Sequence, residues 1–352
     1  MHKSYKDLFN GNLRLTMGRG AAVLSDYPRS KRALIRVVKN LKASDKKRAA
    51  LNKGGLEVPP LIIVSATYEC NLNCKGCYSC GPGRDTRERL FDARKAEILD
   101  EASALGVSTV MLAGGEPLLS KGWLESLAAH PELLGIVFTN GTLLDRVQIE
   151  WFAANRHILP VVSIEGGEEH TDARRGAGIY AAAQKSMAAL CTAGVSFGIS
   201  VTATSENIGA VCAEGFAEEY IDKGCRLFFY VEYVPVEKGT EPLVLSAADK
   251  KKLQTSCRAN GRKYAALFVP FPGDEEQYGG CLAAGRGFLH ISAEGALEPC
   301  PFAPFSDTNL ATVSLRDALS SPMLARVREN SGLLKEGASG CALWNDTDLF
   351  LK

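Results

Sequence analysis

The chain has 352 residues, enough to bury a substantial core in one large domain or two ordinary ones. At 46% apolar and 23% charged it reads as a folded globular protein rather than a disordered or fibrous one. Its net charge of +1 gives no global field that would draw in a nucleic acid or an acidic membrane.

Residues 1–57 read as a lead-in. The opening MHKSYKDLFNGNLRL lacks the apolar core of a signal peptide, and no run reaches the roughly 18 apolar residues of a spanning helix, so a cytoplasmic protein is expected. From Arg29 to Lys53 a single acid, Asp45, stands among the Lys and Arg residues. Leu34, Ile35, Val38 and Leu41 keep helical spacing, which predicts an amphipathic helix with a basic outer face. Such a face is either solvated or a docking surface for an acidic partner.

Val58-Pro59-Pro60 breaks that helix, and residues 61–67, LIIVSAT, read as a buried strand. Further strands are expected at 109–112, 136–139, 161–164, 197–203 and 227–233. Helices are expected between them, at about 87–105, 119–130, 144–155, 175–193 and 207–223. Strands alternating with helices imply parallel βαβ units. Six such strands predict an α/β fold, a partial (β/α)6 TIM-like barrel, with a doubly wound open sheet as the alternative. Past Pro235 the pattern changes to a helix at about 246–262, Gly- and Pro-rich sequence, and short strands bearing cysteines. A core over 58–240 and a small C-terminal domain over 241–352 are therefore expected.

Eleven cysteines require an explanation. Cytoplasmic thiols stay reduced, which favours metal or cluster ligation over a disulfide framework. Cys70-x3-Cys74-x2-Cys77 follows the first strand directly. In a parallel α/β fold, loops after strands gather at the face where reactive sites are built. Thiolates select zinc, copper(I) or iron–sulfur clusters. Structural zinc takes four ligands in paired knuckles, which this spacing does not supply. A four-iron cubane on three thiolates leaves one iron open, whereas Cys80 as a fourth ligand would close it.

This loop resembles the signature of the radical S-adenosylmethionine (SAM) superfamily. The resemblance implies a [4Fe-4S] cluster on Cys70, Cys74 and Cys77, and SAM chelating the open iron. It also implies reductive cleavage of SAM to a 5′-deoxyadenosyl radical that abstracts hydrogen from a substrate. The aromatic that the family usually carries before the third cysteine is replaced here by Gly76; Tyr78, after Cys77, is the candidate cofactor contact. Gly114-Gly115-Glu116-Pro117 matches the family's GGEP motif, which the resemblance assigns to the SAM amine. Asn140 follows the third strand. Ser163 and Glu165, in Ser-Ile-Glu-Gly, resemble the segment facing ribose and methionine. In the loop Asp172-Ala-Arg174-Arg175-Gly176, the resemblance gives Arg175 the SAM carboxylate, with Arg174 as competitor; a guanidinium suits that task by its bidentate geometry. His170 reads as a surface polar residue.

In the tail, residues 288–292 and 296–299 read as a hairpin around Gly295. Cys281-x13-Gly295-x4-Cys300 resembles the opening of the family's SPASM and twitch extensions. With only Cys341 beyond it, the shorter twitch form fits better. The resemblance then implies a second [4Fe-4S] cluster on Cys281, Cys300 and Cys341, its fourth ligand open or Cys257. Cys191, Cys212 and Cys225 fall within helix or strand patterns and read as buried small hydrophobes.

The expected function is a radical SAM oxidoreductase or maturase that oxidatively modifies a peptide or protein, served by a reductant such as flavodoxin or ferredoxin. One alternative is the same chemistry on a small molecule in cofactor or haem-related biosynthesis. Another is a non-catalytic iron–sulfur protein for electron transfer or redox sensing. The lead-in is expected to be too short for the winged leader-peptide-binding domain of many peptide maturases. No side chain stands out as general acid or base.

Overall fold

The structure, a computed structural model, describes residues 31–81, 84, 90–271, 278–332, 334 and 341–345. Its centre is one nine-stranded sheet in the order β7-β6-β5-β4-β3-β2-β1-β8-β9. The strands are β1 Leu61–Thr67, β2 Thr109–Gly114, β3 Leu134–Thr139, β4 Ile158–Ile164, β5 Gly198–Ala203, β6 Leu227–Glu232, β7 Leu267–Phe271, β8 Phe288–Ile291 and β9 Leu297–Glu298. β1 to β7 run parallel in chain order, β8 lies parallel to β1 on its other side, and only β9 turns back. This is the partial α/β barrel expected, with more strands. β7 and β8 come from the segment beyond residue 241, where short apolar runs carry no helical period to mark them as barrel strands.

The helices are α1 Lys31–Lys53, α2 Asp92–Leu105, α3 Lys121–Ala128, α4 Arg146–Ala154, α5 Glu168–Arg175, α6 Ile179–Thr192, α7 Ile208–Val211, α8 Phe216–Asp222, α9 Ala247–Lys263, α10 Leu315–Leu319, α11 Pro322–Glu329 and α12 Ala342–Asn345. The helix expected over 175–193 starts later, and the segment before it forms α5 rather than a loop. The Asp172 carboxylate accepts the N–H groups of Gly178 (2.6 Å) and Tyr180 (2.8 Å), capping α6 as a separate element. The helix expected over 207–223 likewise divides into α7 and α8. The first residues of the helix expected from 87 lie outside the described ones.

α1 is amphipathic with an exposed basic face as expected, but its buried face is rotated toward Val37 from the one its apolar spacing predicts, leaving Val38 and Leu41 half-buried. Ile35 is exposed, while Val37, Ser44 and Arg48 are buried. Polar bonds set this rotation. Arg48 donates to the Gly106 carbonyl at the end of α2 and pairs with Asp45, and Lys47 donates to the Ser103 carbonyl. These contacts place α1 at the end of the sheet opposite the cysteine loop, since Gly106 precedes β2 and Cys70 follows β1.

The sheet has two apolar sides, which explains why β1 reads LIIVSAT with six of its seven residues buried. One side packs on the helices. On the other, Ile136, Leu159, Val161, Leu227 and Phe229 cluster with Met111, Phe138 and Val269. Period-two alternation and register put Ser65, Ser163 and Ser200 on this inner side, further toward the strands' C-terminal ends. Among the described residues, no helix is long and apolar enough to cross a membrane.

Candidate functional site

Because the strands are parallel, Thr67, Gly114, Thr139 and Ile164 end at one edge of the sheet, and the loops that follow converge there. The first loop holds Cys70, Cys74 and Cys77. It is tied down by three neighbours. The Glu69 carbonyl accepts the Glu116 N–H (2.9 Å), Lys75 N–H donates to the Arg174 carbonyl (2.9 Å), and Gly76 N–H donates to Glu237 (3.2 Å). Gly76 has φ +64°, and a Cβ there would lie 2.2 Å from the Tyr233 hydroxyl at the end of β6. The position that is aromatic in the family pattern is therefore occupied by backbone, with Tyr233 filling the space from another strand.

Each thiol of the loop feels the others. Burial raises Cys70 and Cys74 above the ordinary thiol range, with the Cys77 charge adding to both. Cys77 is held below that range, chiefly by a hydrogen bond from the Cys80 thiol, and by Arg174 and Arg175. Cys80 is raised in turn, because it is the donor in that bond. The Leu72 N–H faces the Cys70 sulfur at 3.4 Å. Three soft donors in one short loop, with amide and guanidinium groups facing their charge, fit a cluster of the iron–sulfur type.

Gly115 shows why the GGEP segment needs glycine. A Cβ there would stand 2.0 Å from the Glu69 carbonyl, so the second loop could not lie against the first. Glu116 is buried and does not point into open space. It accepts from the Thr139 hydroxyl (2.8 Å), the Asn140 N–H (2.8 Å) and the Leu118 N–H (3.1 Å), locking the ends of β2 and β3 together. Desolvation raises its pKa in spite of those bonds. Pro117 opens the short 3-10 turn that follows. Asn140 donates to Asn71 (2.8 Å), with its amide 4.0 Å from the Cys70 sulfur, and so joins the third loop to the cysteine loop.

Glu165, at the end of β4, is 1% exposed. Its Oε1 meets Arg174 at 2.5 Å and Arg175 Nη2 at 2.7 Å, and its Oε2 accepts the Thr202 N–H at 3.0 Å. Both arginines thus grip one carboxylate beside Cys74 and Cys77. Arg174 Nε is buried without a hydrogen-bond partner. Ser163 is half-buried on the inner side of β4, and His170 is half-buried on α5. Tyr78 turns toward the C-terminal segment: its hydroxyl accepts the Gly114 N–H (3.1 Å), and its ring packs edge-on against Phe302 at 5.4 Å.

Spacing alone did not mark Thr171, Thr202, Asn207 and Tyr233. Thr171 accepts the Glu165 N–H (3.0 Å), and Asn207 donates to the carbonyls of Glu165 (3.1 Å) and Thr202 (2.8 Å). These are single polar residues, one on α5 and the others at or just after the ends of β5 and β6, without a motif of their own.

In the tail, Cys281 precedes β8 and Cys300 follows β9. The Ala284 N–H donates to the Pro299 carbonyl (3.0 Å), which brings the two cysteine segments side by side. Cys281 sulfur accepts the Ala283 N–H (3.5 Å), and Cys300 is buried. Cys341 is half-buried and leads into α12, whose Leu343 is fully buried. Two soft donors on neighbouring segments, with a third packed against the same core, fit a second cluster of the same type. Cys257 instead lies on α9, where burial and the charge of neighbouring Cys212 push its thiol to about 12. Cys225 is buried as expected, Cys212 is half-buried, and Cys191 is exposed on α6.

Comparison with known proteins gives the chain its family and likens its fold to solved structures. The Radical SAM superfamily model matches residues 64–212. Mycofactocin maturase MftC of Mycobacterium ulcerans is 33% identical over 294 residues, 78% of each chain. The AdoMet-dependent heme synthase of Methanosarcina barkeri is 26% identical over 288 residues, 74% of this chain and 81% of the relative. Streptococcus suis SuiB bound to S-adenosylmethionine superposes with a TM-score of 0.66 at 18% identity, over 85% of this chain and 75% of that one, a likeness of fold.

Proposed function

The chain belongs to the radical SAM superfamily, and from that premise we propose that it oxidatively modifies a peptide or protein substrate. The convergence of four strand-end loops on Cys70, Cys74 and Cys77 carries this reading. A maturase at 33% identity over most of both chains supports the substrate class. A second reading, a small haem-related substrate, is supported by the heme synthase relative. The non-catalytic alternative gives way to an enzyme.

On this reading residues 1–57 are a lead-in, 58–240 carry the first six strands of the radical SAM core, and 241–352 add β7 and β8 to its sheet and carry a twitch-type extension. Cys70, Cys74 and Cys77 hold a [4Fe-4S] cluster with one iron open to SAM. When bound and reduced by one electron from an external donor, the cluster would pass that electron to SAM, which would give methionine and a 5′-deoxyadenosyl radical able to abstract hydrogen. The chain's own residues do the positioning. Gly114 and Gly115 let the second loop approach the first, and Glu116 fixes that approach through Thr139 and Asn140. Glu165 holds Arg174 and Arg175 beside Cys74 and Cys77, placing positive charge where an anionic cluster and the SAM carboxylate belong. Ser163 faces the same inner side, and Tyr78 braces the loop from behind. Cys281, Cys300 and Cys341 hold a second [4Fe-4S] cluster. Such thiolate sites suit the cytoplasm, with flavodoxin or ferredoxin as electron donor.

Anaerobic reconstitution with iron and sulfide, then dithionite and SAM, tests the reading. 5′-Deoxyadenosine is expected from the native chain and absent from Cys74→Ala. A fully reconstituted native chain that forms none refutes it.

A further inference from the structure

A second buried polar system lies behind the cysteine loop, and the chemistry above makes no use of it. Ser65 on β1 and His290 on β8 meet at 2.8 Å through Oγ and Nε2. His290 Nδ1 meets Glu298 Oε2 on β9 at 2.7 Å. Arg84, from the chain that continues the cysteine loop, places Nη1 on both Glu298 oxygens (2.7 and 2.9 Å) and on the Tyr68 hydroxyl (2.8 Å). Its Nη2 donates to the Pro301 carbonyl at 2.7 Å. Ser65 and His290 are 0% exposed, and the Arg84 and Glu298 side chains 3% and 5%.

The location gives the system its meaning. Arg84 holds residues 298 and 301, which flank Cys300, while Tyr78, next to Cys77, packs on Phe302. The chain that carries the first cysteine group thus clamps the turn that carries Cys300. A charge pair kept out of water acts on its surroundings with little screening, and cluster potentials respond to nearby charge and hydrogen bonding.

We infer that the Arg84–Glu298 pair, braced by His290, Ser65 and Tyr68, is a positioning device that fixes Cys300 against the first cysteine loop and sets the net charge felt by a cluster at Cys300. This rests on the reading of Cys281, Cys300 and Cys341 as ligands to a second cluster. The pair is neutral as a unit. Removing either partner leaves a buried charge of known sign close to Cys300.

The test is an electrochemical titration of the anaerobically reconstituted full chain, followed by electron paramagnetic resonance. Arg84→Met, made with His290→Gln so that the imidazole beside Glu298 cannot take up a compensating proton, leaves Glu298 without a countercharge, and the midpoint potential of the C-terminal cluster shifts downward. Glu298→Gln leaves Arg84 without a countercharge and shifts it upward. The Arg84→Met/Glu298→Gln variant and Arg84→Lys stay near the native value. Charge-unpairing variants that shift the same way, or not at all, with native iron content overturn the inference, since a merely structural clamp has no sign. Should Arg84→Met/His290→Gln not fold, Glu298→Gln against Arg84→Lys carries the same test, and any order other than upward against unchanged overturns it. The Cys281→Ala/Cys300→Ala/Cys341→Ala variant separates the two claims. Unchanged iron removes the second cluster and the inference with it, whereas iron lower by one cluster leaves the potentials to decide the inference alone.

Discussion

Glu165→Gln measures how strongly one carboxylate organises this site. Glu165 is buried, and its oxygens serve Arg174, Arg175 and the Thr202 N–H. Gln keeps the shape but removes the charge, leaving two guanidinium groups facing each other with one neutral acceptor between them. Removing one partner of a buried ion pair costs about 3–5 kcal/mol. Deleting one arginine is milder, because the carboxylate keeps the other; loss of a hydrogen bond to a charged group costs about 1.5–3 kcal/mol. With an unfolding entropy near 2.1 cal/mol/K per residue over 352 residues, about 3–5 kcal/mol corresponds to roughly 4–7 °C in melting temperature. The assay is anaerobic thermal unfolding of the cluster-free chain under reducing conditions, which separates this effect from cofactor binding. The expected order is Glu165→Gln below Arg174→Ala and Arg175→Ala. The gap should persist in high salt, because burial shields the pair from screening. A Glu165→Gln melting temperature at or above that of either arginine variant refutes the argument that this carboxylate is the hub.

Gly76→Ala places a methyl 2.2 Å from the Tyr233 hydroxyl at a positive φ, so it should displace the cysteine loop and weaken the SAM-induced change in the cluster's paramagnetic spectrum. Adding Tyr233→Phe removes the nearest atom and should restore part of that change, while the backbone strain remains; no recovery at all would show that Tyr233 does not shape the loop. Cys80→Ser should retain the iron of the first cluster, because Cys70, Cys74 and Cys77 already supply its three thiolates and a fourth would close the iron that SAM needs. Loss of a full cluster's iron in that variant would make Cys80 a ligand. Cys70→Ala, Cys74→Ala and Cys77→Ala should each abolish 5′-deoxyadenosine formation, checked by chromatography of the quenched reaction.

Much of the fold can be read from the sequence, because the six strands from β1 to β6 alternate with helices of ordinary length and each strand is a short apolar run. The first strand appears with its ends intact, 61–67, since Pro60 and the polar loop bound it on both sides. Periodicity cannot show that residues 267–271 and 288–291 extend the same sheet on opposite flanks, because pairing partners are not encoded locally. Leu61 meets Phe288 across more than two hundred intervening residues. α1 shows the reverse limit. Its apolar spacing is real, but Arg48 reaching the Gly106 carbonyl decides which face turns inward.

The site divides along the same line. Cysteine spacing, GGEP and the paired arginines are words within single short segments that follow strands, and each lies where a parallel sheet puts it. The groups that hold these words together come from elsewhere in the chain: Thr202 on β5, Asn207 after it and Tyr233 after β6 around the core site, Arg84, His290 and Glu298 around the tail. Each is one polar residue that an apolar environment makes valuable, since a buried donor or acceptor must find a partner. The chain therefore spells its reactive groups locally and their supports at long range. That is why Arg175 reads from the motif as a cofactor contact, while the structure shows it sharing Glu165 with Arg174. If SAM draws one guanidinium away, the other keeps the carboxylate neutralised, so two arginines on one acid let the site bind an anion without leaving a buried charge unpaired.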